Sequence, residues 1–380
     1  MNIIFYLGSM NNGGAERVVA NLCNRLCDNN RLMILTSVRK PSVYYLDERI
    51  VIKSLDRLEE LSSKIITKNI ERLKRLILEV REFNADILIS FLSEPCFRSL
   101  LVKRKIGIPV IICQRNDPKE EYKSFVYRSL MKWLYPKAEG AVFQTEEQKK
   151  FFPIKLQKKS IVIANPVADE YICDDYRYPL SRKIIAVGRL DAQKNFKLLI
   201  KAFQEFSKEY PDYTLQIYGE GPEREVLEKL ITACDLTNRV FLCGRVKDIK
   251  KKLLEAEFFV ISSDYEGMPN ALIEAMALGI PVISTDCPCG GPAELISNEN
   301  MGILTPVKNV KALSRAMECY ASNHGLAVRY GSNAKKILTK VSPDSVTKRW
   351  ILYIKEVYDK EKGIDNLKKN KRGIAIGKKR

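Results

Sequence analysis

What most constrains this chain is an alternation of two kinds of segment. Short, continuously apolar runs recur along its length, separated by longer amphipathic stretches. NIIFYLGS, RLMILTS, ADILISFL, PVIICQR and GAVFQT form one series; KIIAVGRL, YTLQIYGEG, VFLCGRV, FFVISSD and PVISTD form another. A strand wetted on one face alternates polar and apolar residues, whereas a run apolar throughout belongs to a parallel sheet covered on both faces. Helical periodicity predicts helices over 13–28, 64–83, 194–209, 222–234, 269–278 and 308–322. A βαβα order given twice predicts two doubly wound α/β domains, and 380 residues suffice for two cores. The polar, proline-containing stretch 165–183 reads as the linker. The expected division is 1–175 and 176–342. An amphipathic helix over 343–362 follows, with Trp350, Tyr353, Ile354 and Val357 on one face, and then a basic tail, 363–380, expected to be disordered.

The formal net charge is +18. Residues 360–380 carry nine Lys/Arg against two acids, so +11 of that charge belongs to the rest of the chain. A basic surface suits nucleic acid, an anionic membrane or phosphate-rich substrates. No aromatic–basic string, zinc set or helix-turn-helix pattern supports nucleic acid as the partner. No apolar run of about 18 residues predicts a membrane span, and the N-terminus reads as a first buried strand without a basic leader, which suggests a cytoplasmic protein. The ten cysteines show no metal-ligand spacing and read as free thiols. The single histidine, His324, lies in a polar segment and reads as a surface residue.

Chemistry concentrates where strands run into helices. GSMNNGGAER places Gly13 and Gly14 at a helix start, where free N–H groups favour an anion. The spacing is not that of a dinucleotide fingerprint. VGRLDAQKN projects Arg189 and Lys194 from a strand end; a guanidinium fork with an ammonium suits a diphosphate, although two solvated charges would look the same. YGEGPER and FLCGRV add glycine turns at Gly219, Gly221 and Gly244. In DYEGMPNALIEAMALG, Glu266 follows a strand, Gly267, Met268, Pro269 and Asn270 lead into a helix with free N–H groups, and Glu274 lies about one turn in. This places Glu266 to face a sugar and Glu274 to reach a ribose diol.

Taken together, GGAERVVANL, VGRLDAQKNF, YGEGPER, FLCGRV and EGMPNALIEAMALGIPVISTD resemble the signature set of glycosyltransferase family 4, with Glu266 and Glu274 matching its E-x7-E motif. SFLSEPC, PVIICQRNDP and STDCPCGGPAELI look most like bacterial enzymes that extend lipid-linked or cell-surface polysaccharides, N-acetylgalactosamine transferases among them. The resemblance implies a GT-B fold, two Rossmann-like domains facing across a cleft, and sugar transfer with retention of anomeric configuration. It implies that Arg189 and Lys194 bind the donor diphosphate and that Glu274 binds ribose. Glu266 and the backbone of Gly267 to Asn270 would hold the sugar, Val246 would meet the base, and Gly13 and Gly14 would close over the diphosphate. It also implies that the helix around Trp350 crosses back onto the first domain. Many members carry a histidine where this chain has CQRNDP, so Arg115, Asn116 and Asp117 become acceptor-side candidates.

The expected donor is a nucleotide-sugar, UDP-linked, and the expected acceptor a glycan or polyprenyl-diphosphate-linked glycan, with no metal or other cofactor. The competing readings are a GDP-mannose-dependent enzyme of the same fold and a non-catalytic polyanion binder. An anionic membrane surface is the further expected partner, at the inner face of the cell membrane. Its contacts would come from 64–83, with Lys64, Lys68, Arg72 and Arg75 along one side and Ile66, Ile70, Leu73 and Ile77 on another. The aromatic–basic segment YKSFVYRSLMKWLY, with Lys123, Arg128 and Lys132, would add to them.

Overall fold

A computed structural model describes residues 1–11, 13–56, 65–298 and 300–377; the side chains of 65, 66 and 364–377 lie outside the description. The chain divides into two compact units, Met1–Ile163 with Asp344–Arg380, and Ala164–Pro343.

Unit 1 is built on seven strands: β1 (Asn2–Leu7), β2 (Arg31–Thr36), β3 (Val51–Ser54), β4 (Ile87–Phe91), β5 (Val110–Cys113), β6 (Gly140–Phe143) and β7 (Ser160–Val162). They lie in the order β3-β2-β1-β4-β5-β6-β7, every pair parallel. β1 shows why its run is apolar throughout. Ile3, Phe5 and Leu7 join the core on one face and Ile4 and Tyr6 the core on the other. Helix Ser93–Ile106, which the sequence reading did not anticipate, packs on the second face through Cys96, Phe97 and Leu100.

The first face is closed by the last helix, Pro343–Gly377, through Val346, Trp350, Tyr353, Ile354 and Val357. Trp350 is fully buried and stacks on Phe91, ring centroids 6.1 Å apart. The Tyr353 hydroxyl accepts from the Ala141 N–H at 2.8 Å. The helix therefore serves as a covering layer of the first sheet. It also continues through Gly377, so most of the segment expected as a disordered tail extends it. Removing a buried tryptophan side chain costs about 3–5 kcal/mol. Trp350→Ala is expected to lower stability by that amount, read as a shift of the denaturant midpoint at unchanged slope.

Unit 2 carries β8 (Lys183–Val187), β9 (Thr214–Tyr218), β10 (Val240–Gly244), β11 (Phe258–Ile261), β12 (Val282–Asp286) and β13 (Ile303–Pro306). They form one parallel sheet, β10-β9-β8-β11-β12-β13. The boundary falls earlier than the sequence suggested. Residues 164–175 belong to unit 2, where Val167 and Tyr171 are buried in its core and the Val167 N–H bonds Val341 O at 2.9 Å. Low periodicity marked 165–183 as a linker, yet its first part is packed by a few anchoring side chains and holds only a short 3-10 turn, Asp169–Tyr171.

The two expected membrane segments differ in what they leave free. In helix Ile65–Glu82, Arg72 bonds both carboxylate oxygens of Asp56 at 2.8 Å, Lys68 lies 3.3 Å from the same carboxylate, and Arg75 donates to Leu55 O at 2.7 Å. Arg72 holds the Asp56 carboxyl below its usual range. Leu73 and Ile77 pack on the core. These cations tie the helix to the end of β3, which corrects the expectation that they face lipid; Lys64 and the Ile66 side chain lie outside the described residues. Helix Phe125–Leu134 instead exposes Phe125, Val126 and Trp133, with the Lys137 ammonium 3.3 Å from the Trp133 ring centroid. Among the described residues no helix is long and apolar enough to cross a membrane.

Candidate functional site

In an open parallel sheet the crevice for a ligand opens at the carboxyl ends of the strands, where the strand order reverses. In unit 2 that point lies between β8 and β11, and the residues singled out by sequence converge on it. The β8 connection carries Arg189 and Lys194 into helix Phe196–Phe206. The β11 connection carries Glu266 into helix Asn270–Leu278.

The Lys194 ammonium pairs with the Glu266 carboxylate, whose side chain is 8% exposed. Ser263 Oγ donates to the same carboxylate at 2.7 Å and Gln193 Nε2 lies 3.4 Å from its other oxygen. The lysine loop is clamped to the end of β11 by further bonds: Ser262 Oγ donates to Lys194 O at 2.9 Å, Asp264 N to Gln193 O at 2.9 Å, and Asn195 Nδ2 to the Asp264 carboxylate at 2.8 Å. Asn195 takes a left-handed conformation, φ 45°, and its side chain caps the following helix through Leu198 N. Arg189 is paired with Asp191, whose other oxygen accepts the Lys194 N–H at 3.1 Å, and remains 68% exposed. The site thus offers one exposed guanidinium and one oriented ammonium.

Beside them, helix Asn270–Leu278 begins at Pro269. Among the described residues, the backbone N–H groups of Gly267, Met268 and Asn270 donate no hydrogen bond, so the positive end of the helix is available to a ligand. Glu274, buried, lies four residues after Asn270 and so on the same helix face.

The glycines of these loops serve close packing. A Cβ on Gly219, φ +145°, would fall 1.9 Å from Gly188 O. The β8 and β9 loops are joined there by Gly188 N→Tyr218 O at 3.0 Å and Leu190 N→Glu220 O at 3.1 Å. A Cβ on Gly291 would fall 1.8 Å from Gly267 O. The CPCGG loop thereby buttresses the start of helix Asn270–Leu278, and Cys287 Sγ lies 3.4 Å from Ser263 O, its pKa pushed up to about 12 by burial. Asn165 Nδ2 completes the support, bonding Met268 O at 3.1 Å and Asn270 Oδ1 at 2.8 Å. Sequence reasoning missed Asn165, Gln193, Asp191 and Ser263. The partners of Asn165 lie more than a hundred positions away, and no local pattern marks such a contact.

The other candidates lie on another loop of unit 2 or in unit 1. Val246 is exposed on the loop after the edge strand β10. In unit 1, Gly13 caps helix Gly14–Leu26, and the Glu16 carboxylate folds over it; a Cβ on Gly13 would meet Glu16 Oε2 at 1.9 Å. Burial raises the Glu16 pKa. Arg115 lays its guanidinium over Phe91 at 4.8 Å and Trp350 at 5.7 Å, and burial lowers its pKa. Asn116 Oδ1 accepts from Asp117 N at 2.9 Å. The buried Asp117 side chain caps Pro118–Glu121 through Lys119 N at 2.8 Å, and burial raises its pKa. These three side chains brace their own loop. His324, read as a surface residue, is only part-exposed, its Nε2 3.7 Å from the buried Glu257 carboxylate.

Two units, each built on one open parallel sheet, are the architecture of the GT-B fold. Among solved structures, the Anabaena protein Alr3699/HepE in complex with UDP and glucose superposes with a TM-score of 0.79 at 16% identity, covering 94% of this chain and 100% of that one. The family model for glycosyl transferases group 1 matches residues 178–337 and that for glycosyltransferase family 4 matches 12–171. The chain belongs to this glycosyltransferase family. It is 26% identical, over 94% of its length and 99% of the relative's, to a GalNAc-alpha-(1->4)-GalNAc-alpha-(1->3)-diNAcBac-PP-undecaprenol alpha-1,4-N-acetyl-D-galactosaminyltransferase of Campylobacter jejuni. It is likewise 26% identical to the amylovoran biosynthesis glycosyltransferase AmsD of Erwinia amylovora, over 92% and 97% of the two chains.

Proposed function

We propose that this enzyme transfers a hexose or N-acetylhexosamine, with retention of configuration, from a UDP-linked donor to a polyprenyl-diphosphate-linked oligosaccharide or a growing cell-surface polysaccharide. The observation that carries the reading is the Lys194–Glu266 pair held at the β8/β11 switch point beside the open start of helix Asn270–Leu278. The names of the two relatives and the UDP bound by the structural neighbour support the choice of donor and acceptor.

Breaking the bond from sugar to diphosphate develops negative charge on the leaving phosphate. Lys194 and Arg189 neutralise it, and the N–H groups at the helix start add dipolar stabilisation. Glu266 has two tasks. It holds the ammonium in place and presents its carboxylate to a sugar hydroxyl, so cation and carboxylate straddle the bond that breaks. Glu274 accepts from the ribose hydroxyls, and Val246 offers its backbone to the base. The acceptor hydroxyl attacks from the face that the diphosphate leaves and gives its proton to the departing phosphate oxygen, which retains the anomeric configuration without a covalent sugar–enzyme intermediate. Incubation with a UDP-sugar panel and NMR of the product tests this reading; an inverted linkage, or sugar release only to water, would overturn it.

Loss of Glu274 removes charge-assisted hydrogen bonds, so Glu274→Ala is expected to weaken donor binding by roughly 1–3 kcal/mol. Calorimetric titration with UDP reads it, and an unchanged affinity would remove Glu274 from the site.

The proposal includes peripheral association with the inner face of the cell membrane. Helix Phe125–Leu134 supplies the contact, with Phe125, Val126 and Trp133 exposed and Lys132 and Lys137 beside them. Each basic residue near anionic lipid adds about 1 kcal/mol. Co-sedimentation is expected with anionic vesicles, to fall with salt, and to be lost in Phe125→Ser/Trp133→Ser. Binding indifferent to lipid charge would contradict it.

A further inference from the structure

Unit 1 has a cavity of about 790 Å³ at the carboxyl ends of β2 and β3, well separated in the fold from Arg115 and its loop. Met10, Thr36, Arg39, Lys40, Ser54 and Asp56 are among its lining residues. Three observations define what it can take. First, its charge is unspent. Asp56, the one acid of the lining among the described residues, is neutralised by Arg72, and Lys53 is engaged by Glu79 at 2.6 Å. Arg39 and Lys40 are exposed, and among the described residues neither forms an ion pair or hydrogen bond. Second, Ser54 Oγ is buried and among the described residues has no hydrogen-bond partner, a polar group that gains from an arriving acceptor oxygen. Third, the cations stand among exposed apolar side chains. Ile52 lines the cavity, and Val38, Val43 and Tyr45 project from the same β2–β3 connection. Two free cations set among exposed apolar groups suit an amphiphile with an anionic head.

We propose that this cavity binds the diphosphate head and first prenyl unit of a lipid-linked acceptor, with Arg39 and Lys40 on the phosphates, Ser54 as a hydroxyl donor, and Ile52 and Val43 against the hydrocarbon. The assignment rests on the transferase reading above and places that acceptor's anionic end. The connection between β2 and β3 also reaches the start of the first helix, since the Tyr44 hydroxyl donates to Gly13 O at 3.0 Å.

The test is binding of farnesyl diphosphate, inorganic pyrophosphate and farnesol to the full chain saturated with UDP, which occupies the donor site. The wild type and the Arg39→Glu/Lys40→Glu variant are compared, with UDP affinity as the check on folding. Farnesyl diphosphate is expected to bind the wild type and to lose about tenfold or more in the variant, as expected for replacing two charge-assisted contacts by repulsion. Farnesol should not bind, and Ser54→Ala should weaken farnesyl diphosphate more mildly. Equal binding by wild type and variant overturns the site. Pyrophosphate bound more tightly than farnesyl diphosphate overturns the lipid and leaves a site for free phosphate. A wild type that binds farnesyl diphosphate with this sensitivity but has no affinity for UDP sinks the donor reading while the cavity assignment stands.

Discussion

Replacing Lys194 by alanine is expected to lower turnover by about a hundredfold or more, the scale seen when one preorganised stabiliser of developing charge is removed. The ammonium does not sample this position freely. Its own N–H is held by Asp191 at 3.1 Å, its carbonyl by Ser262 at 2.9 Å, and its tip by Glu266. That preorganisation is what makes the charge effective, because no reorientation is needed as the leaving phosphate charges. Lys194→Arg keeps the charge but not the compact point donor, so it is expected to restore turnover only in part. Arg189→Ala should fall in the same direction, less tightly coupled because the guanidinium is mostly exposed. Steady-state assays of the single and double variants decide it. A double variant with near-normal turnover would make both residues ordinary surface charges.

Glu266 carries the second large effect. Glu266→Gln preserves shape but removes the charge that pairs with Lys194 and turns one acceptor oxygen into a donor facing donors. On the proposed roles, in which the carboxylate meets the sugar and Glu274 the ribose, turnover is expected to fall about a hundredfold and UDP affinity much less. The pair is largely withdrawn from water. Removing one partner of such a pair leaves the other charge uncompensated, at a cost of about 3–5 kcal/mol. Glu266→Ala and Glu266→Gln both leave Lys194 uncompensated, so a lowered melting temperature is expected in both, and turnover measured well below that temperature reads the loss of chemistry. An equal loss of UDP binding in Glu266→Gln would contradict the division of labour.

The architecture was legible because strands buried on both faces leave a mark that needs no partner to read: Ile3 to Leu7 is apolar at every position and feeds two cores. The short strands β3, β7 and β13 were not legible. Ser160, Ile161 and Val162 are only part-buried at the sheet edge, and edge strands need fewer apolar residues. Arg189, Lys194 and Glu266 were legible because each sits at a strand-to-helix connection, and chain order places all such connections at one end of a parallel sheet; Glu274 lies one turn into the helix that follows. Their support was not. Asn165 and Gly291 act through contacts with chain distant in sequence or through backbone spacing that only the fold creates. The basic face of helix Ile65–Glu82 misled for the converse reason. Helical spacing shows which cations share a side, and says nothing of an aspartate such as Asp56 waiting across from them.

The central claim is sugar transfer from a UDP donor at the β8/β11 edge of unit 2. The most direct measurement is nucleotide release from a panel of UDP-sugars and GDP-mannose, in the presence of a polyprenyl-diphosphate-linked glycan, by the wild type and by Lys194→Ala. The account predicts UDP released in step with sugar appearing on the glycan, from one or a few UDP-sugars, and about a hundredfold less with the variant. Release from GDP-mannose alone, or UDP release that Lys194→Ala leaves unchanged, would contradict it.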